Sequence, residues 1–396
     1  MISMKGSIKL MNRKSNLINI GFIIAWCLTL FLYIAIPLKN EGIMKLIYYS
    51  YYIVHTGMFV YIIVSIVKRK RIVRYLLGDY ICVVGIIVAI VFSAILTPGD
   101  FTLELQFANV LSYLSMIFSI ININYIKLTN KTMSFLLIIN VMIAFVFIGL
   151  SLSDYAYSGI IKSSLYLGYA NPNATGIYLF LSVCFLTIFF RRADSFKLKI
   201  FIGVICLYLM YLIWLTDSRT CIFTGAAVLL LSLIHKEFRV KKWMIVFVTC
   251  IPVIFLAGYT YLYAHRYFID LTIFGKPFYS GRETYFLSVL ERVKGNLLFG
   301  NIKSFPFNNT HNGSLAILAS SGLAGEFFYY VFILRNLFRI SEHAKKGVAQ
   351  IAFAAILTLY LHASSEAAVL IGGANYSIIV SSLFMVARGN GESGYE

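Results

Sequence analysis

Apolar runs of about twenty residues, the length that crosses a bilayer as helix, recur along this chain and are separated by short polar turns. They predict membrane spans at 18–38, 43–67, 75–97, 107–126, 133–152, 174–190, 200–215, 221–235, 243–262, 314–334, 348–368 and 373–387. The expected fold is therefore an all-α polytopic membrane protein of 12 transmembrane helices, one integral membrane domain over residues 1–396. A single long hydrophilic excursion breaks the pattern: residues 263–313 are rich in aromatic and charged side chains and read as a large extracytoplasmic loop. Inside it, from Arg282 to Lys294, the apolar positions Phe286, Val289, Leu290 and Val293 fall at helical spacing. That spacing predicts an amphipathic surface helix, ended by Gly295.

Composition agrees with the pattern. Of 396 residues, 60% are hydrophobic and 13% charged, with a mean hydropathy of +0.83; soluble domains carry about a quarter charged residues. The net charge of +18 is not gathered into one patch, which argues against nucleic acid. The basic residues sit in alternate turns: Lys68 to Arg71 with Arg74, Lys127 with Lys131, and Arg191 and Arg192 with Lys197 and Lys199. Lys236, Arg239, Lys241 and Lys242 follow, then Arg335, Arg339, Lys345 and Lys346, and finally Arg388. By the positive-inside rule these turns are cytoplasmic, as are both termini, in a multi-pass protein of the cell (plasma or inner) membrane. The loops 98–106 and 153–173 share the outer side with the large one. The run from Ile18 to Leu38 is too long for a signal-peptide core and has no cleavage site after it, so it reads as a retained first span. Six cysteines lie in or beside apolar runs without ligand-like spacing and read as small hydrophobes.

Three outward places combine charge with a membrane edge. Asp217-Ser218-Arg219-Thr220 stands between two spans; an arginine there either snorkels to headgroups or marks a site. Arg282 opens the amphipathic helix, where it meets lipid phosphate or holds a phosphate of a lipid-linked substrate through its planar fork. His311 lies in Asn308-Asn309-Thr310-His311-Asn312-Gly313-Ser314, just before a span. A free imidazole titrates at about 6.5 and can take a proton from a hydroxyl at neutral pH. His55, His265 and His362 read as structural. Glu326, Glu366 and Asp79 fall in apolar runs, where a carboxylate either serves a site or pairs within the bundle; the pairing is preferred for Glu326 and Asp79, and Glu366 stays open. The loop aromatics Tyr267, Phe268, Phe274, Phe278 and Tyr279 suit an interfacial belt better than sugar stacking.

At these residues the chain resembles the O-antigen ligase/polymerase superfamily (Wzy-type polymerases and WaaL-type ligases). Thr310-His311-Asn312-Gly313-Ser314-Leu315, with Gly322-Leu323-Ala324-Gly325 following, is similar to its His-Asn signature at a span opening. Asp217-Ser218-Arg219 and Ser280-Gly281-Arg282 resemble its two arginine motifs. Asn296-Leu297-Leu298-Phe299-Gly300 resembles its Asn-Pro-Leu-x-Gly, with Leu297 in place of the proline, and Asn171-Pro172-Asn173 is a further likeness. The shared motifs lie within 170–330; toward the N-terminus the likeness is topological.

The resemblance implies a metal-independent, GT-C-like glycosyltransferase without cofactor, taking its glycan from undecaprenyl diphosphate at the outer leaflet. It implies His311 as the base that deprotonates the acceptor hydroxyl, and Arg219 and Arg282 as the groups that meet the diphosphate. Arg292, Lys294, Asn312 and Glu326 are carried as substrate-binding candidates; headgroup contact is the alternative for the two cations. No Asp-x-Asp pair for a divalent metal stands in the outer loops. The expected activity is polymerisation of lipid-linked repeat units into a capsule or O-antigen polysaccharide, with a flippase and a chain-length regulator as expected partners. The alternative is a ligase that passes the glycan to a terminal acceptor. Heavy use of Ile, Lys, Asn and Tyr hints at an AT-rich bacterial genome and favours the polymerase. A transporter of the same lipid-linked glycan is the third reading; the unusual charges collect at one face instead of along a path, which counts against it.

Overall fold

The structure, a computed structural model, describes residues 2–37, 41–69, 74–97, 103–124, 126, 128–154, 156–157, 163–169, 171–234, 239–273, 276–279, 281–304, 311–366 and 374–389. Among the residues singled out above, Lys70, Arg71, Lys127, Lys236, Phe274, Ser280, Asn308, Asn309 and Thr310 lie outside the described residues.

The chain is an all-α polytopic membrane protein. Its helices are α1 (Ile2–Ala35), α2 (Glu41–Arg69), α3 (Arg74–Leu96), α4 (Leu103–Ile123), α5 (Asn130–Ser151), α6 (Pro172–Arg192), α7 (Phe196–Leu215), α8 (Arg219–Leu233) and α9 (Lys242–Ala264). A small antiparallel hairpin follows, β1 (Thr272–Ile273) against β2 (Lys276–Pro277), with Thr272 opposite Pro277. Then come α10 (Arg282–Val293), α11 (Gly313–Ser341), α12 (Gly347–His362) and α13 (Ala374–Arg388). Among the described residues eight helices are long and apolar enough to cross a membrane; Leu114–Ile123, Arg219–Leu233, Gly347–His362 and Tyr376–Arg388 are shorter apolar helices beside them.

The two faces of α7 show what surrounds the bundle. Ile202, Ile205, Leu209 and Leu212 are buried, while Ile200, Val204, Leu207, Tyr211 and Trp214 form an equally apolar stripe on the exposed side. Helices that are hydrophobic all round belong in lipid, where both faces meet apolar neighbours. At the centre runs α6, buried from Thr175 to Phe189; Asn171 accepts a hydrogen bond from Asn173 N at its start and Pro172 follows the cap. Near one end of the bundle, Asp79 of α3 is enclosed and paired with Arg335 Nε and Arg339 Nη2 of α11, each at 3.1 Å. Further along, Gly85 lies against Phe328 and Ala89 against Gly325, so α3 and the long part of α11 run antiparallel. At the other end, Ser93 Oγ accepts from Ile302 N at 3.0 Å and the Thr97 carbonyl from Lys303 Nζ at 2.7 Å.

The run expected as one span over 314–334 is not one straight helix. At Gly322 the backbone takes φ 62° and ψ −167°, and the helix breaks into two arms. Ser314 on the short arm hydrogen-bonds to Glu326 on the long one. A straight helix would hold residues at that spacing about 18 Å apart, so the short arm folds back beside the long one. The freed backbone donors of the long arm, Leu323 N and Ala324 N, reach the Leu297 and Leu298 carbonyls at 3.0 Å each. Asn301 N reaches Ala319 O at 2.7 Å. The Asn296–Gly300 and Gly322–Gly325 motifs thus lock together and satisfy the polar groups that a broken helix exposes.

A side chain at Gly322 would need this left-handed backbone and would run into the Leu298 carbonyl. Gly322→Ala is therefore expected to destabilise the protein by more than about 1 kcal/mol, read as a lowered thermal midpoint in detergent. A conservative change elsewhere on the long arm, such as Leu323→Met on the exposed face, should leave the midpoint in place.

Candidate active site

The short arm of α11 begins at a capped turn. Asn312 is fully enclosed; its Oδ1 accepts from Leu315 N at 2.9 Å, and its Nδ2 donates to Pro252 O at 3.1 Å and Ser364 O at 3.0 Å. Gly313 N donates to Ala363 O at 2.8 Å. This one side chain ties α11 to the middle of α9 and to the turn after α12. These bonds give it a scaffold role at the start of α11. It also holds the turn that carries His311 beside Pro252, in the middle of α9.

His311 itself adopts φ 48°, a left-handed conformation that costs a non-glycine residue about 1–2 kcal/mol. Its side chain keeps 33% exposure, and Nδ1 lies 3.5 Å from Glu366 Oε2. That is longer than a closed hydrogen bond. Tyr285 stands edge-on to the imidazole, 6.4 Å between ring centres.

The other Glu366 oxygen belongs to Arg282, whose Nη2 donates to Oε1 at 3.0 Å; exposure is 24% for the arginine side chain and 12% for the glutamate. The start of α10 explains why Arg282 points there. Gly281 takes φ 84°, and Glu283 is buried against α9, accepting from Gly281 N at 3.1 Å and from Tyr259 OH at 3.3 Å. Phe286, Val289 and Val293 continue the buried face at helical spacing. With Glu283 fixed inward, the preceding residue swings toward the turn after α12.

Glu366 is thus held by two cation-forming groups from two other segments. Burial alone pushes its carboxyl up, but the approach of His311 and the Arg282 charge outweigh it and hold the group below the ordinary carboxylate range. From a third side comes α8: Ser365 Oγ donates to Thr220 Oγ1 at 2.8 Å. Arg219, beside Thr220, donates through Nη1 to the Ile273 carbonyl of β1 at 3.2 Å. It joins the cluster through its neighbour's bond and not by a direct contact with Glu366 or His311.

The remaining candidates lie apart. Arg292 and Lys294 are exposed at the far end of α10, and Lys294 pairs with Glu291 at 3.7 Å. Glu326 serves the fold-back through Ser314. Among the described residues no three His, Cys, Asp or Glu side chains gather as a metal site would require. The residue that sequence reasoning undervalued is Glu366. It was legible as a carboxylate in an apolar run, but its partners are remote; Arg282 is 84 positions away.

No family model matches the chain, and no curated protein or solved structure matches it.

The Arg282–Glu366 pair has a pH signature. Because the folded-state value of Glu366 is depressed, its pairing adds stability above the unfolded carboxyl value of about 4.3, and that stability is lost as pH falls through the folded value. Arg282→Ala should cost about 1–3 kcal/mol at neutral pH. The gap in thermal midpoint between parent and variant should close as the pH is taken below about 4. A gap that stays constant down to acid pH would show that the loss comes from packing instead.

Proposed function

We propose that the chain is a membrane glycosyltransferase that joins undecaprenyl-diphosphate-linked oligosaccharide repeat units on the extracytoplasmic side, extending a surface polysaccharide. One observation carries the reading: a recessed imidazole and an arginine, 29 positions apart in sequence (311 − 282), share the two oxygens of one partly buried carboxylate. The motifs at Arg219, Arg282 and His311, which resemble the O-antigen ligase/polymerase superfamily, support the same chemistry. The topology used is 12 spans with both termini in the cytoplasm, built from the eight long helices and the four shorter ones.

In this reading Glu366 orients His311 through Nδ1, leaving Nε2 to receive the proton of the acceptor hydroxyl. The hydroxyl oxygen forms its bond to the anomeric carbon of the donor sugar. The bond from that carbon to the diphosphate breaks, and its electron pair leaves with the phosphate oxygen. Arg282 gives Nη2 to Glu366 and still has N–H donors in the same plane for a phosphate oxygen. Arg219, at the start of α8, adds the second cation for the departing charge. A sugar diphosphate is already activated, so positioning and charge stabilisation make up most of the task.

Purified protein in detergent with EDTA, given undecaprenyl-diphosphate-linked repeat units, should lengthen them. His311→Ala should lower the rate by about 10²–10⁴, and Glu366→Gln should lower it too. Elongation that survives His311→Ala removes the base assignment. Elongation that EDTA stops removes the metal-independent chemistry. Transfer confined to an acceptor without a lipid diphosphate makes the enzyme a ligase.

A further inference from the structure

His362 is the last residue of α12 and is completely enclosed, at 0% exposure. Its ring lies along Phe180 of α6, 5.8 Å between ring centres and 21° between planes. Among the described residues neither ring nitrogen has a hydrogen-bond partner, and the buried hydroxyl of Ser364 has none either. Directly after His362 the chain turns back: Ser365 N and Glu366 N both donate to the His362 carbonyl, at 3.0 and 3.2 Å. These bonds carry the helical turn on past His362, so His362 and Glu366 stand four positions apart on one face of it.

A neutral imidazole carries one donor and one acceptor. Leaving such groups unpaired in an enclosed interior is costly. Buried polar atoms without a protein partner are ordinarily satisfied by ordered water, which needs between about two and four polar neighbours. One ring nitrogen of His362, the Ser364 hydroxyl and the Glu366 carboxylate supply that number; the two ring nitrogens diverge too widely to share one water. A carboxylate has about four acceptor positions; Arg282 donates to one oxygen and His311 stands 3.5 Å from the other, which leaves further acceptor positions for water.

We propose that ordered water links His362 and Ser364 to Glu366, and that His362 is thereby a positioning residue for the carboxylate that orients His311. This rests on the reading of His311 as the base. A neutral ring suits the task. It braces the carboxylate from within without adding a second full charge that would compete with His311 for it. The stack on Phe180 keeps the ring from turning away.

The direct test is water-edited 15N NMR of histidine-labelled protein in lipid bilayers, with the His362 signals identified by their loss in His362→Gln. Magnetisation reaching the ring nitrogens from water protons supports the site, and a dry ring overturns it. The kinetic test uses His362→Phe, which keeps an aromatic ring against Phe180 and removes both nitrogens. It should lower kcat about tenfold while KM stays within about twofold, as expected for a misplaced catalytic group. His362→Gln should recover most of the loss. An unchanged kcat in folded His362→Phe overturns the positioning role, and so does a loss that tracks a lowered thermal midpoint and is not repaired by Gln. If His311→Ala leaves transfer intact, the base reading falls, and the NMR result still decides whether the water site exists.

Discussion

A carboxylate enclosed within a membrane bundle is tenable only where cations or donors face it, and this condition at Glu366 governs the geometry around it. Arg282 arrives from the start of α10 and His311 from the turn before α11, while Glu366 itself follows α12 in a turn bonded back to the His362 carbonyl. Each comes from a different segment, so the pairing fixes three elements relative to one another. It also sets the chemistry available. A guanidinium braced by this carboxylate presents its other edge as a fixed cation.

Several local devices make this convergence possible, and each answers a constraint of the bilayer. A helix interrupted inside lipid exposes backbone donors that nothing in hydrocarbon can satisfy. The break at Gly322 is tolerated because the Leu297 and Leu298 carbonyls take those donors. Asn312 does similar work at the start of the short arm, using its amide to cap α11 and to join α9 and the turn after α12. Without the fold-back, His311 would open an ordinary span at the rim. With it, the turn that carries the imidazole is held beside Pro252 in the middle of α9. At the opposite end, Asp79 shared between Arg335 and Arg339 anchors the long arm from which the short one folds.

Much of the framework was legible from residue order. Twenty-residue apolar runs and basic turns specify a multi-pass helical protein, because bilayer thickness sets helix length. The spacing of Phe286, Val289 and Val293 specifies α10, because burial on one face needs that period. Arg282 and His311 stood out as polar residues at apolar edges. Their common partner did not. Glu366 looked like any carboxylate in a span, since nothing local to it distinguishes a pairing within the bundle from one that holds an arginine and an imidazole.

The fold-back was equally hidden. Gly322 sits in a run whose hydropathy is that of a continuous span, and hydropathy does not register direction. Arg292 and Lys294 share a short helix with Arg282, yet helix length carries them to its far, exposed end. The sequence by itself determined the class of protein, the helices and the residues able to do proton and phosphate chemistry, because these follow from composition and short-range period. Only the tertiary structure decided which of those residues meet. A buried charge chooses its partners through space, after the bundle has closed around it.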